Sequence, residues 1–164
     1  MKFKTAIVII GKPNSGKTSS LREFAKDVIA QKGVDLIKPH ACPVSLKRPK
    51  GDFTLVVKIN GVVIGMASCG DDERKVVRAL EIFEECNCEV VVFAVSLPAR
   101  EGAKKAVSAY YFRERSFIAT NIVEIERIRE EDDSFAAIER SIRVTARKLK
   151  AKLMAAITID SGVQ

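Results

Sequence analysis

Short apolar runs and helical stripes of apolar residues alternate along this chain. Near-continuous apolar runs cover Phe3 to Ile10 and Glu89 to Val95, which is typical of strands buried on both faces of a sheet. After the first run, apolar residues recur at helical spacing from Leu21 to Ile29, and Gly33 supplies a stop signal. The pattern predicts a strand, a glycine-containing loop and a helix in direct succession.

Two further runs predict a hairpin. Phe53 to Ile59 and Val62 to Ser68 flank Asn60-Gly61, a dipeptide that suits a tight turn with positive φ at both positions. The second run leads into Cys69-Gly70-Asp71-Asp72, and a helix is expected from about Glu73.

The rest of the chain continues the alternation. We expect a short helix from Ala103 to Tyr111, a strand from Phe117 to Ile125, and a final helix whose core stripe comprises Phe135, Ile138, Ile142, Leu149 and Leu153. The prediction is a three-layer α/β/α domain with a mostly parallel sheet, in which the hairpin adds one antiparallel strand at an edge. Residues 1–160 form one domain in this interpretation, and residues 161–164 form a frayed end.

Length and composition restrict the class of protein. The chain has 164 residues, 47% apolar and 30% charged, as expected for one folded domain and not for a disordered protein. No apolar run approaches the roughly 18 residues that a membrane helix needs. The first apolar stretch stops at Gly11, too early for a signal peptide. We therefore expect a cytoplasmic protein without a membrane partner. The spacing of His40, Cys42, Cys86 and Cys88 favours free thiols over zinc.

The net charge of +7 is unevenly distributed. Residues 1–50 contain 11 basic and 3 acidic residues, and the region Lys38 to Lys50 contains three prolines and a basic cluster. This basic N-terminal third predicts contact with nucleic acid or another polyanion. The alternative is a solvated face together with charges that balance a bound triphosphate. Six basic residues between Arg140 and Lys152 are explained by a solvated helix face, with a partner or nucleic-acid face as the alternative. A protein partner or a homo-oligomer stays open.

The most specific motif is Gly11-Lys12-Pro13-Asn14-Ser15-Gly16-Lys17-Thr18, which matches G-x-x-x-x-G-K-S/T. Glycines let the main chain curl so that N–H groups point at a phosphate, and the following helix adds its positive dipole end. Lys17 is expected to bridge the β- and γ-phosphates and the Thr18 hydroxyl to bind Mg²⁺. The predicted nucleotide contacts are Gly11, Pro13, Asn14, Ser15, Gly16, Lys17, Thr18 and Ser19.

These residues resemble the Walker A motif of the P-loop NTPase superfamily, and the α/β layout is similar over most of the chain. The form G-x-P-N-x-G-K-T resembles the first motif of bacterial GTPases that assist ribosome assembly. Those GTPases carry Asp-x-x-Gly where this chain has Gly70-Asp71-Asp72, and their Asn/Thr-Lys-x-Asp motif for guanine has no counterpart here. ATP, or a loose base preference that includes GTP, is therefore expected.

A phosphate site of this kind needs a carboxylate at the end of a neighbouring strand, to hold Mg²⁺ directly or through water. Asp71 is our candidate, because it follows an apolar strand. The alternative is that Asp71 or Asp72 only caps the next helix, and which of the two is the metal-side carboxylate stays open. Arg100 is the candidate for stabilising charge on the transferred phosphoryl group, with an exposed surface arginine as the alternative. The predicted catalytic residues are Lys17, Asp71 and Arg100.

The sequence thus predicts a Mg²⁺-dependent NTP hydrolase, acting as a switch or coupled to a partner. Two alternatives stay open. One is a small kinase that transfers the γ-phosphate to a nucleoside, nucleotide or nucleic-acid group, and the other is a nucleotide sensor without turnover.

Overall fold

The computed structural model describes residues 2–12, 14–37, 51–68, 73–96, 118–126 and 134–161. The helix expected from Ala103 to Tyr111 and the basic region from Lys38 to Lys50 lie outside these residues.

Nine helices and strands are formed by the described residues. The strands are β1 (Lys2–Gly11), β2 (Val34–Leu36), β3 (Thr54–Ile59), β4 (Val62–Ala67), β5 (Val90–Ser96) and β6 (Ile118–Glu126). The helices are α1 (Lys17–Ile29), α2 (Glu73–Glu85) and α3 (Phe135–Ser161). The expected α/β alternation is confirmed for these elements.

The six strands form one mixed sheet in the order β2-β3-β4-β5-β1-β6. β4, β5, β1 and β6 run parallel, and β3 is antiparallel to both of its neighbours. The mostly parallel sheet is confirmed. The edge position predicted for the antiparallel strand is wrong, because β2 pairs with the outer side of β3. The sequence interpretation missed β2 because three residues, Val34-Asp35-Leu36, are too few for a periodic pattern.

Side chains along each strand point alternately to opposite faces of the sheet. Both faces carry apolar side chains here, and helices pack against both of them. Ile7 and Ile9 of β1 belong to a core that includes α1 and α3. Val8 and Ile10 belong to a second core that includes α2. Burial on both faces explains why β1 reads as a continuous apolar run.

The hairpin between β3 and β4 forms as predicted. Asn60 has φ 49° and Gly61 has φ 88°, so both turn residues are left-handed. This is the backbone that Asn-Gly tolerates best in a two-residue loop.

The core stripe predicted for α3 begins too early. Phe135 is 76% exposed and Ile138 is 39% exposed, so their assignment to the core is wrong. Buried positions of this helix begin at Ser141, which means that its first turns extend beyond the packed layer. The predicted core residues Leu149 and Leu153 are buried in the core that α3 shares with α1 and β1.

Among the described residues, no helix combines the length and apolar character that crossing a membrane requires. The 27-residue α3 is long enough, but basic side chains interrupt it repeatedly.

Gly65 of β4 predicts a test of how α2 packs on the sheet. A Cβ at this position would lie 2.4 Å from the Phe83 ring, which is fully buried and packs against Phe93 at a centroid distance of 5.5 Å. We expect Gly65→Ala to lower the free energy of unfolding by about 1 to 3 kcal/mol in urea denaturation. The double variant with Phe83→Leu should be more stable than the two single effects predict. Additive effects would contradict the packing.

Candidate functional site

The loop from Gly11 to Thr18 leaves the carboxyl end of β1 and leads into α1. Gly11 is the last residue of β1 and is buried. Asn14 has φ 61° and Gly16 has φ 87°, so the main chain turns twice through the left-handed region within three residues. The N–H of Ser15 donates to the carbonyl oxygen of Lys12 at 3.3 Å, which closes the curl. Asn and Gly are the residue types that adopt this backbone at low cost.

The amino end of α1 has free capacity for an anion. Gly16 occupies the N-cap position, and no side chain of the described residues caps this end of the helix. The first intrahelical bond runs from the Ser20 N–H to the Gly16 carbonyl oxygen at 2.9 Å. The amides before it have no acceptor inside the helix, and the first turn carries no acidic residue. Main-chain N–H groups and the helix dipole therefore favour a negative group here.

Lys17 is held over this loop. Its side chain is buried, with a relative exposure of 6%, and its Nζ donates a hydrogen bond to the main-chain oxygen of Lys12 at 2.7 Å. The Lys17 side chain therefore reaches from the end of the loop back to its beginning. A buried ammonium group gains from a strong acceptor, and phosphate oxygens are stronger acceptors than a peptide carbonyl.

Ser15 adds a second indication of an anion site. Its side chain is 3% exposed, and its Oγ finds no hydrogen-bond partner among the residues that the structure describes. A buried hydroxyl without a partner costs free energy, so such groups call for an explanation. A bound phosphate would supply an acceptor next to the uncapped helix end.

The remaining predicted contacts differ in exposure. Thr18 is half-buried and Ser19 is exposed in the first turn of α1. Both lie in the turn at which an anion would bind. Pro13, Asp71 and Arg100 lie outside the described residues, so their predicted roles stay predictions.

The strands next to β1 are β5 and β6, not β4. Gly11 pairs with Ser96, the last residue of β5, and Ile10 pairs with Glu126, the last residue of β6. Because all three strands are parallel, these carboxyl ends meet at the edge where the loop begins. Sequence reasoning missed Ser96 and Glu126, although a polar residue at the end of each apolar strand was a usable signal.

The strand that precedes Asp71 is more distant from β1 than the sequence interpretation assumed. β5 lies between β4 and β1, so the two strands are separated by about 10 Å across the sheet. β4 ends at Ala67, which is level with Phe93 of β5 and hence with Val8 of β1. The exposed Glu126 is itself the last residue of β6, which pairs directly with β1. Two acidic positions are therefore candidates for the same role.

Arg22 ties α1 to the start of β3. Its Nη2 donates a hydrogen bond to the main-chain oxygen of Gly51, and its guanidinium carbon lies 5.9 Å from the centre of the Phe53 ring. Both contacts precede β3, at the end of the basic region 38–50. The helix that begins at Lys17 is thus fixed to the segment where that basic region ends.

Clusters of three or more histidine, cysteine, aspartate or glutamate side chains suited to a metal ion are not found within the described parts of the chain. A magnesium ion at a phosphate site takes most of its ligands from phosphate oxygens, water and one or two protein oxygens, so this finding leaves a Mg²⁺-nucleotide site open. The uncapped helix end, the Ser15 hydroxyl and the Thr18 hydroxyl fit a Mg²⁺-bound polyphosphate.

Comparison of the chain with protein-family models, with curated proteins and with solved structures finds no match. The site is therefore interpreted from its own geometry.

Cys86 and Cys88 are free thiols between α2 and β5. They lie where β5 begins, whereas the loop lies where the parallel strand β1 ends. Burial, followed by the charge of Cys86, raises the pKa of Cys88 to about 12. Burial, followed by the charge of Glu85, also raises the pKa of Cys86. Raised pKa values oppose the thiolate form, which metal binding and nucleophilic attack require.

These pKa shifts predict the reactivity of the two thiols. In the native protein at about pH 8, we expect iodoacetamide to modify Cys86 slowly and Cys88 only after unfolding, as measured by peptide mass spectrometry. Because folding raises the Cys88 pKa, the protonated thiol favours the folded state. This stabilisation of the folded state is complete below pH 9.0 and is lost progressively as the pH rises towards about 12. Equal labelling rates at the two cysteines would show that Cys88 is not buried as described.

Proposed function

We propose that this protein is a Mg²⁺-dependent P-loop NTPase that binds a nucleoside triphosphate, preferably ATP, at the Gly11–Thr18 loop and hydrolyses it. The observation that supports this most is the uncapped amino end of α1, which directly follows a left-handed curl and a buried Lys17 ammonium group. Each feature has a physical purpose in binding a polyphosphate and none is needed for an ordinary turn.

Binding is an exchange of hydrogen bonds. The main-chain amides of residues 14–18 surround the β-phosphate, and the Ser15 hydroxyl gains the acceptor that it lacks. Lys17 exchanges the Lys12 carbonyl oxygen for β- and γ-phosphate oxygens. Because the loop is already curled, little conformational entropy is lost on binding.

The metal would be held by the Thr18 hydroxyl together with one carboxylate. A bound Mg²⁺ neutralises charge on the β- and γ-phosphates. Asp71 is the first candidate for the carboxylate and Glu126 the second, since Glu126 ends a strand that pairs with β1. Arg100 would stabilise negative charge on the phosphoryl group. Whichever of Asp71 and Glu126 does not hold the metal would orient a water molecule for attack on the γ-phosphate. In this proposal water is the phosphate acceptor.

The activity is tested with γ-labelled ATP and Mg²⁺, with and without nucleosides, DNA or RNA. Release of labelled inorganic phosphate supports hydrolysis. Label on an added acceptor would replace this proposal with a kinase, and bound but unchanged nucleotide would replace it with a sensor. Repeating the assay with GTP measures the base preference.

Lys17→Ala should weaken nucleotide binding by roughly 100-fold or more, because it removes a charged donor to two phosphate oxygens. Titration calorimetry with Mg²⁺ and a non-hydrolysable nucleotide measures the effect. Lys12→Ala is the matched control, since it removes a lysine charge from the same loop and keeps the carbonyl oxygen that Lys17 contacts. Equal losses in both variants would mean that Lys17 acts only through net charge.

Asp71→Asn should lower Mg²⁺-dependent turnover by roughly 100-fold while nucleotide affinity without metal is retained, because the amide keeps the size of the side chain but not its charge. Asp72→Asn and Glu126→Gln are the matched comparisons. If either of them loses turnover and Asp71→Asn does not, the assignment of the carboxylate to Asp71 is wrong and that residue takes its place.

A further inference from the structure

From the outward face of α3 we infer a second anion site, which binds double-stranded DNA through its phosphates. Six basic side chains project from this helix within 13 residues, and all are exposed: Arg140, Arg143, Arg147, Lys148, Lys150 and Lys152. No acidic residue occurs between Glu139 and Asp160. A helix face of this kind creates a positive field over its whole length.

Acidic residues in the described part of the chain leave most cations of this face without a counter-charge. Among the described residues, only Arg143 has an acidic partner, Glu139, at 3.6 Å. The other five form no ion pair with any described residue. Surface lysines and arginines normally have acidic residues interspersed among them. Unbalanced charge over four helical turns is better explained by a polyanionic ligand.

The groove between α1 and α3 differs in charge from the outer face of α3. This groove, about 220 Å³ in volume, is lined by residues of both signs. Lys26 lies 3.7 Å from Glu23, as Arg143 lies 3.6 Å from Glu139. Three basic and two acidic residues line the groove, so its excess is a single positive charge. The larger excess lies on the outer surface of α3.

The basic residues are arranged around the helix as a groove ligand requires. At about 100° per residue, Arg140, Arg143, Arg147 and Lys150 fall within roughly a quarter of the circumference. Lys148 and Lys152 lie about 80 to 120° further round than Arg140. A helix in the major groove of B-DNA has a phosphate backbone on each side. Cations on both flanks can therefore contact both strands.

The absence of aromatic residues from 140–152 argues against single-stranded nucleic acid, which stacks its bases on aromatic side chains. The major groove of A-form RNA is too deep and narrow to admit side chains, which disfavours duplex RNA. A helix that binds a membrane surface needs a continuous exposed apolar face. In α3 the apolar stripe is buried in the core from Ser141 onward. The exposed Phe135 and Ile138 precede the cations, and Val144 and Met154 stand singly on the outer face, so no continuous apolar face is exposed over 140–152.

This inference does not depend on nucleotide binding. None of the six residues belongs to the Gly11–Thr18 loop, so DNA binding should survive in Lys17→Ala. Conversely, variants of the α3 face should retain nucleotide binding. Failure of one proposal can therefore be distinguished from failure of the other.

The test is fluorescence anisotropy of the full chain with a labelled DNA duplex of about 20 base pairs over a range of salt concentrations. The triple variant Arg140→Gln, Lys148→Gln and Lys150→Gln removes three unpaired exposed cations. We expect binding weaker by roughly two orders of magnitude at about 0.1 M salt. The slope of log affinity against log salt should be shallower by about 2 to 3, since each phosphate contact contributes about 0.9.

The matched control removes the same charge elsewhere, with Arg78→Gln, Lys32→Gln and Lys58→Gln, all exposed residues outside α3. It should retain the wild-type slope, and circular dichroism melts should show both triple variants folded. The inference is overturned if the wild type does not bind the duplex, or if the control loses as much affinity as the α3 variant. Tighter binding to duplex RNA, to single strands or to vesicles with anionic lipid would also overturn it.

Discussion

The two parallel hydrogen-bond ladders of β1 determine where the loop begins relative to the ends of β5 and β6. This strand pairs with β5 from Thr5 to Gly11 and with β6 from Lys2 to Ile10. Its side chains are buried on both faces, so it cannot shift along its neighbours without exposing its apolar residues. The position of Gly11, where the loop begins, is therefore fixed relative to the carboxyl ends of β5 and β6.

The loop depends on that fixed end. Because Gly11 cannot move, the left-handed Asn14 and Gly16 return the chain to α1 within a few residues, and the amino end of α1 points back at the end of β1. Lys17 then lies close enough to Lys12 to contact its carbonyl oxygen. Rigid, preorganised N–H groups bind an anion without first paying to order the chain. The α3 face proposed to bind DNA is different in kind, since its cations are exposed and their interactions would be screened by salt.

Local patterns predicted most of the elements. Buried strands such as β1 and β5 are continuous apolar runs, and Asn60-Gly61 specifies its hairpin through the two positive φ angles. The order of strands in the sheet is a non-local property, decided by how the helices cover the two faces. The sequence therefore could not show that β5 lies between β4 and β1, nor that β2 pairs with the outer side of β3.

The same distinction applies to the site. The loop motif is local, and its placement between a strand and a helix was predictable. Glu126 and Ser96 become neighbours of Gly11 only through the parallel pairing of distant segments. The exposed Phe135 and Ile138 show the converse error, because helical spacing identifies an apolar stripe but not where packing along it begins.

The central claim is that main-chain amides of the Gly11–Thr18 loop bind a polyphosphate. The most direct measurement is a two-dimensional NMR titration of the ¹⁵N-labelled protein with Mg²⁺ and inorganic triphosphate, which has no base. The account predicts that the largest amide shifts occur at residues 14–18, with smaller shifts at the ends of β5 and β6. Shifts confined to basic side chains and to α3, with those loop amides unchanged, would contradict it.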